Sequence, residues 1–114
     1  MNPQQRGSEA EAQALAFLQR HGLVLIQRNY RCRFGEIDLI MRDGDTLVFT
    51  EVRQRTHADF GGAAASITAR KRARLAATAR HYLGRSGTMP ACRFDALLID
   101  GGGLRWIRDA FYAF

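Results

Sequence analysis

The sequence predicts one α/β domain, a mixed β-sheet flanked by helices. Three observations lead there. The chain has 114 residues, enough for one self-supporting core and too few for two. Its apolar fraction of 46% excludes a disordered chain. The apolar pattern runs helix, three strands, helix, two strands, which a hairpin-containing mixed sheet with flanking helices satisfies most simply.

The elements follow in order. Residues 1–6 read as a short flexible N-terminus. A helix is expected from Ser8 to Arg20, with Ser8 as cap, Glu11 closing a capping box, and Ala14, Leu15, Phe17 and Leu18 as the apolar face. His21-Gly22 ends it. Leu23 to Arg31 reads as a first strand, and Gly35 to Met41 as a second. Asp43-Gly44 is a strong hairpin signal leading into a third strand, Thr46 to Arg53. The Gly- and Ala-rich connection from Thr56 to Ile67 is expected to be mobile. A second helix spans about Thr68 to Leu83, with Leu75, Ala76, Ala79 and Leu83 on one side and Gly84 and Gly87 at its end. Arg93 to Ile99 forms a fourth strand, Asp100 to Gly103 a turn, and Leu104 to Arg108 a short fifth strand or edge. No repeat or linker interrupts the chain, so residues 1–114 form one domain.

Composition narrows the function classes. No run approaches the roughly 18 apolar residues that span a bilayer, and no membrane partner is expected. Met1 to Arg6 leads into no apolar segment of a secretory signal, which makes the cytoplasm the default. Cys32 and Cys92, 60 positions apart, fit no CxxC or Cys/His spacing and are expected to be free thiols. The formal charge is +6, and sixteen of the seventeen basic residues are arginine. Between Arg53 and Arg85 eight basic residues face one acidic residue, Asp59. Such a surface either attracts a polyanion such as nucleic acid through counterion release or simply raises the isoelectric point.

The chemistry concentrates on the second and third strands. Residues two apart share a face, so Glu36 and Asp38 are expected to point together, with Ile37, Leu39 and Met41 opposite. Glu51 and Arg53 share a face in the same way. The hairpin makes the strands neighbours and brings Asp38 near Glu51. Two carboxylates so placed repel and lose solvation unless a hard cation, Mg²⁺ or Mn²⁺, or arginine partners compensate. Both outcomes follow from the spacing. Glu11 has two readings as well: a capping-box member, or a carboxylate on the sheet-facing stripe aimed at the same cluster. Arg53 is either a clamp for a phosphate or a paired strand arginine. Arg55, Arg70, Lys71, Arg72 and Arg74 extend the positive surface and are the candidate nucleic-acid contacts, although Lys71 and Arg72 fit a solvated helix face equally. His21, His57 and His81 have no metal-ligand spacing, and no GxSxG, Walker or dinucleotide motif occurs.

Arg28-Asn29-Tyr30-Arg31, Gly35-Glu36-Ile37-Asp38-Leu39-Ile40 and Leu47 through Arg55 together resemble the YraN family of uncharacterised bacterial proteins. Gly7, Glu11 and Ala14 near the start, with Arg93-Phe94-Asp95 and Ala110-Phe111 near the end, extend the likeness over nearly the whole chain. That family is similar to the restriction-endonuclease-like superfamily, which includes Holliday-junction resolvases and other nucleases with a PD-(D/E)xK core. The resemblance implies a restriction-endonuclease-like core and a metal-dependent nuclease acting on DNA, duplex or branched. It assigns the metal to Asp38 and Glu51 and a helix carboxylate to Glu11. It puts Arg53 where the superfamily has lysine. Arginine supplies the electrostatic part of that role and not proton transfer. The alternative is a nucleic-acid-binding protein of the same fold with little or no cleavage.

Overall fold

The structure, a computed structural model, describes residues 3–54, 67–87, 89–100 and 103–111. Its elements are α1 (Pro3–Arg20), β1 (Val24–Cys32), β2 (Gly35–Asp43), β3 (Thr46–Gln54), α2 (Ala69–Ser86), β4 (Cys92–Asp100) and β5 (Gly103–Phe111). The five strands lie in sequence order; β3 and β4 are parallel and the other neighbours antiparallel. This is the expected α/β fold, with a mixed sheet flanked by helices, and it is compatible with a restriction-endonuclease-like core.

The helices cover opposite faces. On the α1 side Ala10, Ala14, Leu18 and Leu23 pack with Leu39, Met41, Val48, Leu97 and Ile99. On the α2 side Leu75, Ala79 and Leu83 pack with Ile37, Ile40, Phe49, Phe94 and Phe111. A helix on each face is what a parallel β3–α2–β4 crossover needs to bury both sides of the sheet.

Two expectations at the N-terminus are corrected. The helix begins at Pro3, so residues 3–6 are helical and Ser8 lies inside the helix instead of capping it. Proline fits the first helical turn because its fixed φ suits the helix and no amide there needs a partner. Glu11 is therefore not the closing member of a box at the helix start. At the other end of the chain β5 runs to Phe111 as a full nine-residue strand. In α2, Thr68 is the N-cap and Gly87 the left-handed C-cap at φ 73°, so Gly84 is helical and does not end the element. The expected mobile connection falls largely outside the described residues; Ile67, at its end, is buried in the α2-side core.

A further correction shapes the site. Ile37, Leu39 and Met41 do not share a face: Ile37 belongs to the α2-side core, and Leu39 and Met41 to the α1-side core. The alternation breaks at Asp38. The register Arg28↔Leu39 and Tyr30↔Ile37 puts Asn29 opposite Asp38, and Asn29 has a φ of 53°. Asparagine tolerates this left-handed conformation better than most residues. The left-handed backbone of Asn29 thus lies opposite the point where β2 changes sides.

Candidate metal and nucleic-acid site

The β2–β3 ladder runs from Asp43↔Thr46 to Leu39↔Thr50. One residue beyond it the Asp38 carboxylate, through Oδ2, accepts the Val52 backbone N–H at 2.8 Å. A side chain thus takes over where strand pairing ends, and Asp38 is held at the mouth of the gap between the strands. Its carboxyl is pushed up to about 7, first by burial and then by the charge of Glu51, with Glu11 and Glu36 adding to both and the Val52 N–H opposing.

Glu11, Glu36 and Asp38 each bring a carboxylate oxygen to within 4.8 Å of the others. Because α1 starts early, Glu11 sits in its third turn, one residue from the buried Ala10, and reaches the end of β2. Asn29 ties the group together. With its amide turned to satisfy both neighbours, its nitrogen donates to Glu36 Oε1 at 3.0 Å and to Glu11 Oε1 at 2.9 Å. Burial and the Glu36 charge raise the Glu11 carboxyl, while Arg28 and Asn29 lower it. Glu36 also accepts from Arg31 Nε at 2.9 Å on the outer side. The reading of Glu11 as a cluster carboxylate fits; the capping reading does not.

Glu51, buried in β3, faces α2, where Lys71 Nζ lies 3.0 Å from its Oε1. Gly35, Glu36, Asp38, Glu51, Lys71, Arg74 and Leu75 line one cavity of about 270 Å³. The structure therefore brings together Asp38, Glu51, Glu36, Lys71 and Arg74, with Glu11 behind Asp38. Arg53 lies two residues past Glu51 in β3, half-buried, and is not among the residues lining the cavity. Arg70 is exposed on α2. Arg72 is exposed as well, with its Nε donating to Ile67 O at 3.0 Å and its guanidinium 5.7 Å from the Phe111 ring. Arg55 and His57 lie outside the described residues. His81 hydrogen-bonds Tyr30 and His21 packs on Phe17 and Trp106, so neither enters the cavity.

One member of the site, Glu36, was missing from the sequence-based assignment, although it was visible as the same-face neighbour of Asp38. Lys71 was assigned as a nucleic-acid contact on the outer basic surface, and nothing in local spacing connects it with Glu51.

The donor set suits a hard divalent cation. It consists of carboxylate oxygens, partly buried, and burial with the neighbouring carboxylates penalises the ionised form of Asp38. A cation there would relieve the repulsion that raises Asp38 and Glu11.

Residues 10–99 match the model of the uncharacterised protein family UPF0102. The chain belongs to that family. A UPF0102 protein of Methylobacillus flagellatus is 60% identical over 112 residues, covering 96% of this chain and 98% of its own length. One of Nitrosomonas europaea is 62% identical over 110 residues, covering 93% and 92%. One of Nitrosospira multiformis is 59% identical over 109 residues, with the same shares. The UPF0102 match takes in every residue of the carboxylate cluster and of the cavity. Among the described residues no helix is long and apolar enough to cross a membrane, and Cys32 and Cys92 are free thiols.

Proposed function

We propose that this UPF0102 protein is a Mg²⁺- or Mn²⁺-dependent nuclease that hydrolyses phosphodiester bonds in DNA and works in the cytoplasm. The observation that carries the reading is the carboxylate cluster at the gap between β2 and β3, bordered by the cations of α2. Asp38, grouped with Glu36 and Glu11, would hold the metal together with Glu51 from the same cavity. The ion supplies Lewis-acid activation of a water and of the scissile phosphate. The chain's own residues do the rest. Asn29 orients Glu11 and Glu36, and the Val52 amide fixes one Asp38 oxygen so that the other is aimed consistently. Arg74 and the exposed Arg70 offer the phosphate backbone a positive approach beside the cavity. The likeness of the strand motifs to the restriction-endonuclease-like superfamily supports the same assignment.

The second reading is nucleic-acid binding without efficient cleavage, and Arg53 at the superfamily's lysine position favours it. Two measurements separate the readings. Mn²⁺ titration by calorimetry should give heat with wild type and none with Asp38→Asn. Single-turnover incubation of labelled duplex and four-way-junction DNA with Mg²⁺ or Mn²⁺ should give cleavage by wild type and none by Glu51→Gln. Salt-sensitive DNA binding with no cleavage under either metal would establish the second reading.

A further inference from the structure

We propose that Lys71, from α2, is the catalytic cation of this site and takes the part that the strand motif leaves with Arg53; the assignment rests on the nuclease reading. Four observations carry it. Lys71 is the only lysine in a chain with sixteen arginines, and it lies 3.0 Å from Glu51, with its side chain 26% exposed. It lines the same cavity as Asp38 and Glu51, and Arg53 does not.

The third observation concerns its place in the helix. Thr68 caps α2 and accepts the Lys71 backbone N–H at 3.1 Å, so Lys71 stands in the first helical turn. The helix dipole opposes a cation there by about 0.3–1 kcal/mol and favours an acid. Arg70 and Arg72 share this turn, so it is the contact of Lys71 with Glu51, and not helix stability, that sets it apart. The fourth is the choice of cation. A compact ammonium with three rotatable donors can hold one oxygen of a buried carboxylate and still turn a donor towards a water or a phosphate oxygen. A guanidinium is a wide planar fork suited to bidentate contacts.

In hydrolysis the oxygen of a water forms a bond to phosphorus and the bond from phosphorus to one ester oxygen breaks. The departing oxygen takes up a proton, and the attacking water gives one up to solvent. Negative charge grows on the phosphoryl oxygens on the way. An ammonium fixed beside Glu51 opposes that charge from the α2 side and orients the water, without itself changing protonation.

The test compares wild type with Lys71→Met, Lys71→Arg and the double variant Lys71→Met/Arg53→Lys. Single-turnover cleavage of labelled DNA is read together with DNA affinity by fluorescence anisotropy and Mn²⁺ affinity by calorimetry. Lys71→Met is expected to lose about 100-fold or more in rate, with DNA affinity falling by no more than about tenfold, the share of one phosphate contact, and Mn²⁺ bound at least as tightly, because a competing cation has left Glu51. Lys71→Arg should recover only part of the rate, and the double variant should recover more by restoring an ammonium from β3. Trp106 fluorescence checks that each variant is folded. Undiminished cleavage by Lys71→Met, or loss of Mn²⁺ binding in step with the rate, overturns the assignment of Lys71 and leaves the nuclease reading standing. No cleavage by wild type overturns the nuclease reading, and the catalytic role of Lys71 with it.

Discussion

Replacing Asp38 by asparagine should stabilise the metal-free protein at neutral and alkaline pH. The carboxyl moves from its ordinary 3.8 to about 7 because burial and the charges of Glu51, Glu11 and Glu36 penalise its ionised form. The folded state thus holds a proton that the unfolded chain has released, so the contribution of Asp38 to stability is greatest below about pH 4 and is lost as pH rises through 7. The full span corresponds to a ceiling of about 4 kcal/mol. Asparagine keeps an oxygen for the Val52 N–H, and that bond's preference for the ionised carboxylate is already contained in the shift. A gain of up to about 4 kcal/mol is therefore expected near pH 8, shrinking to nothing near pH 4. Urea unfolding followed by the fluorescence of Trp106, the single tryptophan, measures it in the presence of a chelator. A wild-type and Asp38→Asn difference independent of pH would refute the electrostatic account. Added Mn²⁺ should stabilise wild type at pH 8 and leave Asp38→Asn unmoved.

Three further outcomes are expected. Gly35→Ala should cost about 1–3 kcal/mol in chemical denaturation, because Gly35 has a φ of 150° and an added Cβ would stand 3.2 Å from Thr78 Oγ1. Asp95→Ala should cost about 3–5 kcal/mol, since this fully buried carboxylate accepts from Arg93, Trp106 Nε1 and the Asp109 amide; the same unfolding curve reads it. DNA affinity by anisotropy between about 50 and 200 mM salt should fall with a slope of about −3 to −5 in log K against log salt, and Arg70→Ala with Arg74→Ala should make it shallower.

The strands and their hairpin were legible because β2 and β3 carry dense apolar runs on either side of Asp43-Gly44, and their observed ends lie within two residues of the expected ones. The start of α1 was misread because Ser8 and Glu11 have the spacing of a capping box while Pro3, five residues earlier, fits the first turn equally well. The side switch at Asp38 could not be seen in β2 at all. It coincides with the left-handed backbone of Asn29 in a different strand, and period-two reasoning has no access to a neighbour's φ. The pairing of Asp38 with Glu51 was readable from local spacing plus one hairpin. Lys71 lies twenty residues from Glu51, across a crossover whose closing geometry no local pattern encodes.

The Lys71–Glu51 pair has one practical consequence. A chain with one lysine has one ε-amine, so reductive methylation with a ¹³C-labelled reagent places a single side-chain reporter in the molecule, beside the label on the terminal α-amine. Its methyl resonance would sit in the cavity itself, next to Glu51, and would shift when a metal or a phosphate arrives. The arginine-rich remainder of the surface is silent to that chemistry, so occupancy of the pocket could be followed by NMR without assigning the backbone.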